Sequence, residues 1–311
     1  MMKDREPLMK ITATASVLAL CAGAAFADCD TVTFSDVGWT DITTTTATAT
    51  HVLEGLGYEV ETSILSVPVT FAALESDDVD IFLGNWLPAQ SGAIGPYLDS
   101  GEIETVATNL EGTIYTLAVP AYTYEKGLQT YDDIANFRDE LDGEVYGIEP
   151  GNEGNDYLIS LTEDETSGLS GFDVIESSEQ GMLAQVSRAY EDQQDVVFLG
   201  WAPHPMNANF DLEYLTGGED FFGGEGVVNT VTRQGYVEEC PNVGQLLKNM
   251  SFTLDMENAI MGQILDEGAD PAEATEAWLV ANPGEWEGWL EGVTTLDGEP
   301  GLDAVRASLG M

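Results

Sequence analysis

Residues 196–209 read VVFLGWAPHPMNAN, and the reading of this stretch decides the fold. Val196 to Leu199 make a short apolar run of the kind found in a fully buried strand. The run is expected to stop at Gly200-Trp201, because Pro203 and Pro205 forbid further ladder pairing. A buried strand thus ends by delivering a Trp into a stiff loop. Residues 79–88, VDIFLGNWLP, repeat the pattern of apolar run, Gly, Trp and Pro. Residues 31–41, TVTFSDVGWTD, again join a strand to Gly and Trp. In open α/β sheets ligands bind in the crevice beyond the carboxyl ends of the strands. Three indoles at three such ends predict an aromatic-lined pocket.

Outward from these stretches the chain alternates strand and helix. Strands are expected at Thr31–Phe34, Tyr58–Leu65 and Val79–Leu83, with helices at Ile42–Leu56 and Ser66–Leu74 between them. The threonine run inside the first helix is poor helix material, and Asp41 before it reads most plainly as an N-cap. A second round begins at Thr113: strands at Ile114–Val119, Glu144–Glu149, Phe172–Ile175 and Val196–Leu199, helices at Tyr131–Leu141 and Glu179–Tyr190. A strand at Val228–Thr232 precedes helices near 242–249, 254–267 and 271–290. This order predicts an α/β fold with a mostly parallel sheet. The two strand-Gly-Trp-Pro stretches suggest two similar lobes, each supplying one wall of the pocket.

Residues 1–27 read as a leader rather than part of the fold. Met9-Lys10 opens a charged region, 11–23 are apolar or small, and Ala25-Phe26-Ala27 is a small-x-small cleavage site. Cys21 raises a lipid anchor as the alternative, but the large Leu20 before it argues against one. Cleavage after Ala27 leaves 284 residues, six basic side chains against 54 acidic, and Cys29 and Cys240 as the remaining cysteines. In an oxidising compartment such a pair is most simply one disulfide, with two buried free thiols as the alternative. A net charge of −47 over the whole chain excludes nucleic acid and anionic membrane as natural partners. The acids are scattered, as in Asp77-Asp78 and Glu238-Glu239, which reads as a solvated surface suited to high salt. No D-x-D-x-D-G spacing supports calcium, so no metal or cofactor is expected.

Catalytic signals are weak. The chain holds two His, His51 on the first helix and His204 between two prolines. No G-x-S-x-G, H-E-x-x-H, C-x-x-C or P-loop motif occurs. His204 reads as a loop-packing residue, and the chain as no enzyme. The aromatic set is more informative. A quaternary ammonium cannot donate a hydrogen bond, but the negative faces of several rings within about 6 Å can hold it. Trp39, Trp86 and Trp201 fit that role. Trp278, Trp286 and Trp289 lie in amphipathic helical text and read as packing residues.

The stretches DVGWTDITTTTAT, SVPVT, FLGNWLP, NLEGTIYTLAVP, YGIEPGNEGN, ESSEQGMLAQV, VFLGWAPHPMNANF and ECPNVGQLL resemble the periplasmic choline-binding proteins of bacterial ABC importers, within the wider glycine betaine/proline betaine-binding group. The resemblance covers essentially the whole chain after residue 27. It implies a two-lobed periplasmic binding fold of the cluster II type that closes on its ligand, with residues 28–112 and 227–311 in one lobe and 113–226 in the other. It implies an aromatic box of Trp39, Trp86, Tyr115 and Trp201, with Asp41 and Asn152 on the choline hydroxyl. It also implies a Cys29–Cys240 pair, a monomer and a membrane permease as partner. The residues themselves agree on Asp41, since a buried carboxylate attracts a cation and repels a ligand carboxylate. Lys126, Arg138, Arg188, Arg233, Lys248 and Arg306 all lie outside the box stretches, which favours choline over glycine betaine. Glycine betaine, acetylcholine and carnitine remain the alternative ligands. A sensor subunit and an enzyme acting on choline esters remain the alternative roles.

Overall fold

β1 (Thr31–Asp36), α1 (Thr40–Gly55), β2 (Glu59–Ile64), α2 (Val67–Glu75) and β3 (Ile81–Leu87) open the fold. The computed structural model describes residues 29–311, so the expected leader lies outside the described residues. β1 lies between β2 and β3 and runs parallel to both. α1 survives four consecutive threonines because tertiary burial overrides propensity. Thr44, Thr45 and Thr46 are buried, and several hydroxyls bond back to carbonyls one turn earlier, as Thr48 to Thr44 (2.8 Å) and Thr50 to Thr46 (2.8 Å). Thr43 Oγ1 donates instead to Asp36 at 2.8 Å, tying α1 to the end of β1.

After α3 (Ser91–Ser100) the chain enters β4 (Ile103–Pro120), an 18-residue strand. The sequence reading began this strand at Ile114 and missed its first half. Next come α4 (Ala121–Glu125), β5 (Glu144–Tyr146), α5 (Glu153–Glu163), β6 (Asp173–Ile175), α6 (Glu179–Glu191) and β7 (Phe198–Ala202). Then follow α7 (Met206–Asn209), β8 (Leu212–Tyr214), α8 (Glu219–Phe222) and β9 (Gly226–Arg233). The expected helix at Tyr131–Leu141 is a 3-10 helix over Tyr131–Phe137, closed at its start by a reciprocal Thr130–Asp133 capping box.

The sheet order is β2-β1-β3-β9-β4-β7-β5-β6, with β8 on the far end of β4. β3, β4, β7 and β8 pair antiparallel where they meet β9 or β4, so the expectation of a mostly parallel sheet is corrected. The reason is β4. Its first half pairs with β9 and its second half with β7 and β8, so one strand serves both halves of a two-lobed α/β fold. Each side of the sheet keeps a parallel set of its own, β2-β1-β3 at one end and β7-β5-β6 at the other.

The remainder is helical: α9 (Tyr236–Glu239), α10 (Pro241–Asn249), α11 (Leu254–Leu265), α12 (Pro271–Ala281), α13 (Pro283–Trp286) and α14 (Gly301–Ser308). The single helix expected over 271–290 is broken at Pro283, which cannot continue the ladder of α12. Trp278, Trp286 and Trp289 are buried in this packing, as expected. Cys29 and Cys240 are joined, with Cα atoms 5.7 Å apart, and pin the start of β1 to the start of α10. Among the described residues no helix is long and apolar enough to cross a membrane.

Candidate functional site

The three indoles do not sit in loops, as expected, but within or directly beside regular elements. Trp201 is the fourth residue of β7, paired in register with Tyr115 of β4. Gly200 stands inside the strand, at a position that leaves no room for a side chain. A Cβ there would lie 2.8 Å from the Ala118 Cβ and 3.1 Å from the Tyr214 ring. Pairing ends at Ala202, before Pro203. Trp86 lies near the end of β3, past a bulge between Phe82 and Asn85 where β3 holds one more residue than β9. Such a bulge re-aims the side chains beyond it. Trp39 occupies the position just before the first turn of α1, without a capping hydrogen bond from its side chain.

These elements bring all six expected residues to one cavity, lined by Trp39, Asp41, Trp86, Tyr115, Asn152 and Trp201, with Ala89, Gln90, Ile148 and Glu153. Tyr115 stands between two indoles edge to face, 6.3 Å from Trp86 and 6.4 Å from Trp201, centroid to centroid. Phe222 backs Tyr115 at 4.9 Å. His204, read as a packing residue, supports the Trp201 ring edge to face at 4.9 Å.

Asp41 is the second residue of α1 and not its cap. Its Oδ2 accepts the Trp86 indole N–H at 3.0 Å. Burial, then the nearby Glu179 charge, pushes its carboxyl up to about 7, against the hydrogen bonds from Trp86 and the α1 backbone. Asn152 caps α5: its Oδ1 accepts from Gly154 N (2.8 Å) and Asn155 N (3.4 Å) and from the Tyr115 hydroxyl (2.9 Å). Gly154 is required there, because a Cβ would run into that hydroxyl. Asn152 therefore fixes Tyr115 as well as facing the cavity.

Sequence reading missed a set of acids. Glu153 lines the cavity with a buried Oε1 that has no partner, and burial raises its carboxyl to about 7. Glu149 accepts the Trp39 indole N–H at 2.9 Å and is also raised, first by burial. Glu179 lies just behind, bonded to Thr40 and His204. The loop YGIEPGNEGN displays Glu149 and Glu153, and their bracketing of Asn152 was the available signal. Nothing in the sequence marked Phe222.

Among the described residues no Lys or Arg lines the cavity. Three of the basic side chains are paired elsewhere, Lys126 with Asp195, Arg233 with Asp80 and Glu239, Arg306 with Glu287. Among the described residues no group of His, Cys, Asp or Glu could hold a metal ion. Four aromatic walls, buried acids and no cationic side chain make a site for an organic cation.

The family profile "OpuAC: Substrate binding domain of ABC-type glycine betaine transport system" matches residues 30–281. Two solved structures align closely. An ABC-transporter choline-binding protein in complex with choline is 57% identical, covering 91% of this chain and 99% of that one, with a TM-score of 0.88. An ABC-transporter choline-binding protein in an unliganded semi-closed conformation is 56% identical, covering 92% and 100%, with a TM-score of 0.84. A protein from Chromohalobacter salexigens, ORF1, is 47% identical over 154 residues, 50% of this chain and 96% of its own length.

Proposed function

The chain belongs to the family of substrate-binding domains of ABC-type glycine betaine transport systems, and from that premise we propose that it captures choline in its aromatic cage and delivers it to the permease of an ABC importer. One observation carries the choice of ligand. The cavity joins Trp39, Trp86, Tyr115 and Trp201 to the buried Asp41 carboxylate, and among the described residues no Lys or Arg lines it. The trimethylammonium group sits among the ring faces, which need no donor from it. The ligand hydroxyl meets Asp41 and Asn152. A ligand carboxylate in the same place would face Asp41 and Glu153 with no cation to answer it.

Residues 28–112 and 227–311 form one lobe in this reading and 113–226 the other. Trp39, Asp41 and Trp86 then come from the first, and Tyr115, Asn152 and Trp201 from the second. Neither lobe encloses the cation alone, so ligand favours the closed arrangement by its differential affinity. A leader cleaved after Ala27, a periplasmic location and a monomeric state complete the proposal. Choline is bound and released unchanged.

Titration calorimetry of the purified protein with choline, acetylcholine, glycine betaine and carnitine at matched salt tests the reading. Choline should bind one to one and most tightly, and Asp41→Asn should weaken choline more than glycine betaine. Tighter binding of glycine betaine than of choline by the unaltered protein would overturn the ligand assignment.

A further inference from the structure

α1 starts without a local cap. Trp39 occupies the capping position and its side chain makes no capping hydrogen bond. The first N–H groups of a helix have no partner within it, and at Thr40 that partner comes from 139 residues away. Glu179 Oε2 accepts the Thr40 backbone N–H at 2.8 Å, and Glu179 Oε1 accepts the Thr40 hydroxyl at 2.6 Å. On its other side Glu179 Oε1 meets His204 Nε2 at 3.2 Å. His204 Nδ1 accepts the Met206 backbone N–H at 2.9 Å. Nε2 therefore carries the ring proton and donates to Glu179. Three donors converge on one carboxylate that is 1% exposed.

The two sides of this junction are the two sides of the cage. Thr40 follows Trp39 and precedes Asp41 on the β1–β3 side. Glu179 begins α6, and His204 packs edge to face on Trp201 at 4.9 Å, both on the β5–β7 side. A second bond runs in parallel across the cleft, from Trp39 Nε1 to Glu149 Oε1 at 2.9 Å. Resting on the choline reading above, we propose that Glu179 is a positioning residue that latches the two lobes: closure supplies α1 with its cap and seats Trp39 and Trp201 against the cation together. When the lobes part, Thr40 and Glu179 must both turn to water, so the latch acts on the life of the closed complex. Encounter with the ligand precedes the latch and should be little affected.

Stopped-flow indole fluorescence with choline chloride tests this. Glu179→Gln places an amide N–H₂ among donors and should raise the dissociation rate roughly tenfold or more. Thr40→Val removes the hydroxyl bond alone and should raise it about fivefold. Association rates should stay within about twofold, and ligand-free melting temperatures should stay near that of the unaltered protein. Thr40→Val added to Glu179→Gln should change dissociation less than it does alone, because the shared bond is already gone. Unaltered dissociation in both single variants, or full additivity in the double variant, would overturn the latch. So would a loss confined to the ligand-free melting temperature. Absence of choline binding by the unaltered protein would instead reject the ligand reading. The latch would then be judged on whichever of acetylcholine, glycine betaine or carnitine the protein does bind, where Glu179→Gln must release it faster and equal dissociation rates would reject it.

Discussion

Trp39, Trp86 and Trp201 are 7%, 6% and 5% exposed, and Trp278, Trp286 and Trp289 are 9%, 0% and 3% exposed. Burial therefore does not separate the trio that lines the cavity from the trio that packs the C-terminal helices. Where the indole N–H is bonded, as in Trp39, Trp86 and Trp286, its partner does. Trp286 Nε1 donates to the Leu279 main-chain carbonyl at 2.8 Å, closing the turn between α12 and α13. Trp86 donates to the Asp41 carboxyl at 3.0 Å and Trp39 to the Glu149 carboxyl at 2.9 Å. A main-chain carbonyl satisfies an indole and adds no charge. A carboxylate satisfies it while bringing negative charge beside the ring, which deepens the attraction of the face for a cation. An indole bonded to an acid beside a cavity marks a site; one bonded to the main chain marks a core.

The largest expected effect tests that division directly. Trp286→Ala should cost about 3–5 kcal/mol of stability and leave choline affinity of the folded fraction unchanged. Trp86→Ala should cost about 2 kcal/mol of affinity, roughly thirtyfold, with a smaller fall in melting temperature. Thermal unfolding and calorimetry on the same two variants check both halves. A Trp286 variant that loses affinity, or a Trp86 variant that loses only stability, would collapse the contrast.

The disulfide belongs with the packing trio. It pins the start of β1 to α10, and α10 reaches the Trp289 main-chain carbonyl through Asn249 at 2.9 Å. Reduction should therefore cost about 2–4 kcal/mol of stability and leave choline affinity as it was. Mass spectrometry of oxidised protein should find the Cys29–Cys240 peptide and no free thiol. Two alkylatable thiols in native protein would refute the pairing, and a reduced protein with weakened choline binding would place the bridge with the cage.

The cage trio was legible because each Trp closes an apolar run beside a Gly, a local pattern that survives folding, whereas Asp41 reads locally as an N-cap and entered the site only through the family resemblance. The first half of β4 was not legible. Ile103–Glu111 mixes Thr, Glu and Asn with few buried positions, so it has no clean alternation to read. Its strand character comes from pairing with β9, more than a hundred residues later. Glu179 was hidden for a related reason. A Glu in the first turn of a helix reads as a solvated acid favoured by the dipole, and only the approach of α1 buries it. The fold's crossover and the site's outer acids are tertiary facts, whereas the walls are local ones.

The smallest expected effect separates the two trios by pH. Asp41 and Glu153 are raised to about 7, each chiefly by burial. The Glu179 charge beside Asp41, and the Glu149 and Asp156 charges beside Glu153, oppose ionisation further, and the Asp41 charge in turn adds to the burial that raises Glu257. A carboxyl raised on folding contributes stability that is full below its unfolded value near 4 and is lost as pH rises toward 7. A bound cation acts in the opposite sense, because it favours the ionised carboxylate and so draws protons off. Choline affinity should therefore rise from pH 5 to 7, by at most about tenfold per unit for each proton released, and flatten above. Over the same interval the ligand-free melting temperature should fall relative to that of Asp41→Asn. Titrations in buffers of different ionisation enthalpy should show protons leaving on binding, fewer from Asp41→Asn and fewer from Glu153→Gln. The Trp286 region bonds a neutral carbonyl and should add nothing to this profile. An affinity that is flat from pH 5 to 7, or the same slope in Asp41→Asn, would mean the acids do not face the cation and that the cage works by its rings alone.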